Sequence, residues 1–520
     1  MRGDTTIWQA LARARAENVA DAGEPPVLLG AGGQTRRAVL KALAAVGTAT
    51  AMPRHAWAAA PDAPVAIVGG GIAGLTALWT LTQAGIEARL YEARPRLGGR
   101  IYTARPKSGP AFETGAQFVN SDHADMRALC KAFGVGLIDR KSTAHRTMIL
   151  ENGREIADAR LVSGMRGIAA QLDADAQRLD KDYAGVAAEL DRLSFATYLD
   201  RYARLLPEPW VRRLLEATAR TEYGVEPQQA SAIELIFNLP TLEGRRIDVL
   251  SRSDERYTIA GGSSALVEAM AARLRLRIVT GRRVARVDPL GTGARLVFAD
   301  GSSVGAADVI VTTPASVTRR IDFRIALPPL WRRFIAEVGL GQNGKLQSSM
   351  ATRPWDRPIG RGGELWQTNA DALMSQGWDG SVRPGTGNVW TWYLGGDQVT
   401  AADAVDAGVL AGRFAAHVDG AVPGMVKATP ATARRSDWHR DPNAMGAYVN
   451  FRPGQLTRFG SLIWTETGGI ASPPLPSAPV HFAGEHLSDA YPGYMNGGAQ
   501  TGRLAAEAVI AARAPARRFG

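Results

Sequence analysis

Residues Val65 to Thr103 read VAIVGGGIAGLTALWTLTQAGIEARLYEARPRLGGRIYT, and this stretch decides the fold. Val65-Ala66-Ile67-Val68 is a continuous apolar run of the kind a buried parallel strand needs, and Gly69, Gly71 and Gly74 follow in G-x-G-x-x-G spacing. Gly69 permits a tight turn, Gly71 lets the backbone approach a pyrophosphate, and Gly74 lets a helix pack closely on the strand with its first N–H groups toward phosphate. Leu75, Leu78 and Leu81 give that helix an apolar stripe, and Gly85 is placed to end it. The second strand closes on Glu92, eighteen residues after Gly74, where a carboxylate accepts both hydrogen bonds of a ribose diol. Strand, glycines, helix, strand and acid together make a βαβ unit that binds adenosine. They do not by themselves separate NAD from FAD.

Arg94, Arg96 and Leu97-Gly98-Gly99-Arg100 follow the ribose acid directly, where a second glycine turn and a fixed guanidinium can hold the far phosphate of an extended dinucleotide. A βαβ unit running into E-A-R-x-x-x-G-G-R resembles the flavin-containing amine oxidase family, monoamine oxidase-like FAD-dependent oxidoreductases. The resemblance covers most of Val65 to Ala512. It implies an α/β fold: a Rossmann-like FAD-binding domain built from residues 62–120, 255–325 and 478–515, and an α+β substrate domain of mixed sheet plus helices from 121–254 and 326–477.

A chain of 520 residues exceeds one hydrophobic core, and 45% apolar content with 57 glycines fits an α/β enzyme rich in turns. The net charge of +11 does not point to nucleic acid, because 50 acids are interspersed with 61 bases and no long basic run exists. No apolar stretch reaches eighteen residues, so no transmembrane segment is expected. The single cysteine, Cys130, excludes an intrachain disulfide and reads as a buried thiol in an amphipathic pattern. The seven histidines are scattered without metal spacing. Oligomeric state stays open, with a homodimer as one outcome.

Near the front, Thr35-Arg36-Arg37-Ala38-Val39-Leu40-Lys41 resembles a twin-arginine export signal, and Ala56-Trp57-Ala58 a small-x-small cleavage site. Residues 1–58 then read as a signal, and the mature enzyme as periplasmic or secreted. The long lead before the arginines and Val39 depart from that pattern, and the alternative is a basic extension on a cytoplasmic protein.

Further along, the resemblance assigns roles segment by segment. Ala111 to Phe118 matches the return toward the flavin, with Gly115 admitting the ring system and Gln117 beside it. Relatives that oxidise α-amino acids carry an arginine near Phe118, so an aromatic there implies an amine without an α-carboxylate. Residues 122–254 read as helical, and Ala169 to Tyr202 as solvated helices. Val284, at the start of a strand that leads to the Asp300-Gly301 hairpin turn, matches a residue whose backbone pairs with adenine. Lys345 matches a lysine that holds a water against flavin N5, and Trp438 lies in a segment beside the isoalloxazine. Ala447 stands where some members carry a flavin-linking cysteine, which implies non-covalent FAD. Gly484-Glu485 ends a strand where the acid can bind ribityl hydroxyls. Past Met495, a helix starting near Gly498 would stabilise the flavin pyrimidine as reduction makes it anionic.

Tyr448 and Tyr494 match two aromatics that flank the substrate amine, whose nitrogen their faces attract. The reaction implied is hydride transfer from the amine α-carbon to flavin N5, hydrolysis of the imine to an aldehyde or ketone, and reoxidation by O2 to hydrogen peroxide. Alternatives are an L-amino-acid oxidase using another arginine, a flavin dehydrogenase passing electrons to a protein acceptor, a desaturase or porphyrinogen-type oxidase, a flavin module without turnover, and a basic nucleic-acid binder.

Overall fold

The structure, a computed structural model, describes residues 63–140, 146–237, 240–243, 246–249, 253–356, 363–369, 372–383, 387–467 and 470–513, together with Ala14. The export motif and the Ala56–Ala58 cleavage site lie outside the described residues.

The strand Val65–Val68 is wholly buried, as its apolar run requires, and pairs in parallel with Ala88–Tyr91 on one side and Asp308–Val311 on the other. Ile278–Val279 and Val480–Phe482 extend the sheet at its two edges, also in parallel. Five short strands from three distant stretches of chain thus form one sheet, covered by helices as parallel strands demand. The helix Ile72–Gln83 packs against the helix Met495–Arg513, and glycines set how close they come. A methyl group on Gly502 would overlap the Ala73 carbonyl oxygen, and one on Gly74 would overlap that of Gly69. Gly85, at φ +73°, ends the first helix: its N–H reaches Thr82 O at 3.1 Å and that of Ile86 reaches Leu81 O at 3.0 Å.

Val284–Leu290, Gly293–Phe298 and Ser303–Ala306 form an antiparallel meander beside this sheet, turning at Gly301 with φ +84°. A second, seven-stranded sheet runs in the order Arg434–Arg435, Asn343–Ser349, Val389–Gly395, Gln376–Asp379, Gly363–Gln367, Arg146–Glu151 and Arg154–Glu155. It is mixed, because Gly363–Gln367 pairs with Arg146–Glu151 in parallel and the other pairs are antiparallel. The period-two pleat sorts its residues. Trp390, Trp392 and Leu394 join a core with Phe414, while Thr391 and Tyr393 turn to the opposite face.

The reading of residues 122–254 as helical needs correction. Helices Asp158–Lys181, Tyr183–Leu190, Phe195–Arg201 and Pro209–Tyr223 are present, yet Leu137–Asp139 and Arg146–Glu151 are strands in two different sheets. Leu137–Asp139 finds its partner Tyr257–Ile259 far along the chain, whereas Arg146–Glu151 pairs with distant Gly363–Gln367 and also folds back through Asn152-Gly153 onto Arg154–Glu155, a local hairpin signal that the helical reading passed over. The helices are solvated on one face only. Arg178 and Arg201 pair with Glu189 outside, while Met165, Ile168, Leu172 and Leu214 are buried inside. Among the described residues no helix is long and apolar enough to cross a membrane, and no group of three or more His, Cys, Asp or Glu is placed to hold a metal.

Candidate active site

The two glycine turns are one structure. Gly98 N–H donates to Gly70 O at 2.8 Å, and Gly71 and Gly98 form a parallel bridge, so the first turn and the Leu97–Gly99 turn share a floor. Gly99, at φ +57°, lies directly against Gly71. A Cβ on Gly71 would meet nothing within 4 Å: the backbone there faces open space. That space is a cavity of about 550 Å³ lined by Gly69, Gly71, Glu92, Arg94, Gly99 and Arg100 at one end. Glu92 is buried and fixed by two backbone donors, Gly70 N–H at 2.7 Å to Oε2 and Arg94 N–H at 2.8 Å to Oε1. Val284 lines the same end. Arg94 is ion-paired to Asp441 at 2.5 Å, a partner no sequence motif announced, and the pair ties this loop to the Trp438 segment.

The cavity continues past Trp438, Gly484, Glu485 and Met495 to Lys345, Tyr448 and Tyr494. Arg100 donates to Glu485 Oε1 at 2.9 Å, and Gly493 N–H donates to Oε2 at 2.8 Å, so the acid and the guanidinium neutralise one another at the wall. The last helix begins at Met495, about one turn earlier than the Gly498 expected, and Gly497 and Gly498 in its first turn leave no room for a side chain against Tyr491 O and Ile72. Its N-terminus and that of the Ile72–Gln83 helix both open on the cavity, which favours anionic groups there. Trp438 donates from its indole N–H to Thr114 O at 2.8 Å. Gly115 has no room for a methyl because of Arg100 O and the Trp438 ring, so its backbone role is as much packing as access. Gly74 and Gln117 stay off the cavity wall.

Lys345 is buried on the Asn343–Ser349 strand, and its ammonium has three acceptors: Gly115 O at 2.8 Å, Glu113 O at 3.1 Å and Gln117 Oε1 at 3.3 Å. Burial pulls its pKa down to about 8, opposed by the nearby Glu113 charge. Burial likewise pushes the Glu113 carboxyl up. With every N–H engaged, a water on Nζ has to replace one of these bonds. The Gln117 bond is the longest of the three. Gln117 thus sits behind the lysine and off the cavity wall, not on the cofactor wall where the sequence put it.

A family model described as flavin containing amine oxidoreductase matches residues 72–510. The chain belongs to that family. The oxidoreductase is 23% identical to an L-amino acid dehydrogenase of Synechocystis over 85% of this chain and 94% of that protein. It is 28% identical to the (S)-6-hydroxynicotine oxidase of Paenarthrobacter nicotinovorans over 85% and 98%. Its fold matches putrescine oxidase bound to putrescine with TM-score 0.70 at 20% identity, covering 86% and 99% of the two chains. Cyclohexylamine oxidase from Brevibacterium oxydans gives TM-score 0.72 at 23% identity over 87% and 99%. Membership makes it a flavoprotein that uses FAD to oxidise amines. The cradle described above fits that cofactor: it is long, glycine-floored at one end, and faced by two helix N-termini.

At and behind the Tyr448–Tyr494 end of the cavity this amine oxidoreductase holds residues that the sequence reading missed. Tyr393 lines the cavity and its hydroxyl bonds that of Tyr448 at 2.6 Å. Burial pushes the Tyr448 phenol up to about 12 and that of Tyr494 well above its ordinary value, so both are neutral at working pH. Tyr494 is backed by His123, ring centroids 5.2 Å apart. Glu222, at the end of the Pro209–Tyr223 helix, acts electrostatically on all three tyrosines, and burial, with Glu255 beside it, pushes its carboxyl up to about 7. Arg140 is buried with its guanidinium 4.0 Å from the Phe118 ring centroid, donating to Glu255 O at 2.9 Å. Glu222, Arg140 and Tyr393 sit in no motif.

Proposed function

We propose that this oxidoreductase oxidises a small amine lacking an α-carboxylate, giving an imine that water hydrolyses to an aldehyde or ketone. FAD held in the cavity without a covalent link would supply the acceptor for the hydride of the α-carbon and a route by which two electrons, with two protons, reduce dioxygen to hydrogen peroxide. The glycine floor, Glu92, Arg94, Arg100, Val284, Gly484, Glu485, Trp438 and Met495 hold the cofactor. Tyr448 and Tyr494 take the amine between their faces and align its nitrogen lone pair, which must be unprotonated for a hydride to leave the adjacent carbon. Lys345 holds a water in exchange for its Gln117 bond and serves the oxygen half of the cycle.

The observation that carries this reading is a single cavity lined by the glycine cradle at one end and by Lys345, Tyr448 and Tyr494 at the other. Anaerobic mixing with a panel of amines should bleach the flavin band, and admitting oxygen should restore it with one hydrogen peroxide per turnover. An unbleached flavin across the panel would refute it. Ala447 on the cavity wall and the remote, buried Cys130 support non-covalent binding: acid precipitation should release the flavin to the supernatant.

Arg140 favours a second reading. A buried guanidinium beside Phe118 is the group that could clamp a carboxylate, and then L-amino acids, not simple amines, should bleach the flavin. The acids Glu222 and Glu255 weigh against it by favouring a cationic ligand. Export through the Arg36-Arg37 motif belongs to the same proposal, and changing both arginines to lysine should strand the enzyme in the cytoplasm.

A further inference from the structure

Tyr448 is held at two points. At its base, Gly493 with φ +83° brings backbone against the ring: an added Cβ would lie 3.3 Å from Tyr448 Cβ and Cγ. That contact limits rotation about the ring axis. At its tip, the hydroxyl bonds Tyr393 Oη at 2.6 Å, which limits where the ring swings about its first torsion. Tyr393 is itself a stiff anchor. It lies on the fully buried strand Val389–Gly395, in register with Lys345 on one neighbour and Gln376 on the other. Its ring meets Trp378 at 5.1 Å, and the Trp378 indole donates to Gln117 Oε1 at 3.2 Å, the same oxygen that Lys345 reaches. Tyr393 and Tyr448 both line the cavity, and a hydrogen bond buried in a low-dielectric interior is electrostatically stronger than one in water.

We propose that Tyr393 is a positioning residue of the amine site: its hydroxyl fixes the tip of Tyr448, and so sets the gap between Tyr448 and Tyr494 that an amine must fit. The proposal rests on the reading of this cavity as an amine site. It assigns a residue that no motif contains and separates two functions on one sheet. Lys345 faces the cofactor from its strand, and the residue directly across the ladder governs the substrate.

The test uses the FAD-loaded protein. Tyr393→Phe keeps the ring that packs on Trp378 and removes only the hydroxyl; Tyr448→Phe removes the same bond from its other side. Each should weaken amine binding and slow anaerobic reduction about threefold to tenfold, and the double variant no further, because one bond is lost in all three. Reoxidation by oxygen should stay at the parent rate, which a general loosening of the sheet around Lys345 would not allow. Effects that multiply in the double variant, or Tyr393→Phe reducing at the parent rate, overturn the proposal. Should Tyr393→Phe fail to take up FAD, Tyr448→Phe alone decides: slowed reduction supports the role and parent-rate reduction overturns it. If no amine bleaches the parent flavin, the amine reading falls and this role falls with it. A bleached parent beside unaffected variants rejects the positioning role alone.

Discussion

The two ends of the cavity are built on different principles. The cradle end is backbone: Gly69, Gly71, Gly98 and Gly99 bring main chain to the wall, with open space over Gly71, and Glu92 is the main side chain that organises them. The amine end is side chains: Lys345, Tyr393, Tyr448 and Tyr494 arrive from four separate segments of chain, with Glu222 near them. A backbone site tolerates no added atoms but asks little of neighbouring side chains. A side-chain site depends on register, because each pleat position must face the cavity.

The largest expected effect breaks the cradle. Gly74→Val drives a branched side chain into the Gly69 carbonyl, which should cost about 1 to 3 kcal/mol of stability or more, and the protein should purify with little FAD. Gly71→Ala sharpens the contrast: nothing in the protein obstructs its methyl, so the apo melting temperature should hold while FAD affinity falls. Absorbance at the flavin band and thermal melting read both. A Gly71→Ala protein with normal FAD content would mean that the cofactor does not approach this turn.

Next come the tyrosines. Tyr494→Ala and Tyr448→Ala should retain FAD yet weaken amine binding and slow anaerobic reduction by about 0.5 to 2 kcal/mol each, if aromatic attraction for the amine is the lost contribution. Equal losses of FAD and amine binding would blur the two ends into one.

How much of this was legible follows the same division. The strand Val65–Val68, the glycine turn, the helix ending at Gly85 and the acid Glu92 are contiguous, and each is dictated by chemistry within a few residues. The second glycine turn was legible too, although its hydrogen bond to Gly70 was not. Tyr393 was not legible. It is one aromatic in the run Val389–Gly395, and only the pairing with Lys345 across the ladder turns it to the cavity. Arg146–Glu151 was misread as helical territory: its parallel partner, Gly363–Gln367, lies about two hundred residues on, and the Asn152-Gly153 turn that folds it onto Arg154–Glu155 was the one local signal. Arg140 is placed by a different long-range pairing, that of Leu137–Asp139 with Tyr257–Ile259, and Glu222 by a helix end that no local pattern reveals.

Lys345 gives a smaller, pH-dependent effect. Its folded pKa of about 8 lies below the ordinary 10.5, so the neutral amine is favoured in the folded state. Burying it costs stability below pH 8, and that cost is relieved as pH rises from about 8 to 10.5, where the unfolded chain binds the extra proton. Lys345→Met should flatten the stability curve across that window, as followed by melting temperature against pH. Glu222 runs the other way: with its carboxyl raised to about 7, the stability it contributes below the ordinary 4.5 is lost as pH rises through 7. Glu222→Gln should remove that slope and, by removing a carboxylate that attracts a cation, modestly raise the KM for amine above pH 7.

The division between the two ends is tested most directly by following the flavin band in stopped flow, first with amine under anaerobic conditions and then on mixing with oxygen, for the parent, Tyr494→Ala and Lys345→Met. The expected result is that Tyr494→Ala slows only the bleaching and Lys345→Met slows chiefly the recovery. Both variants bleaching and recovering at the parent rate, with FAD bound normally, would contradict it.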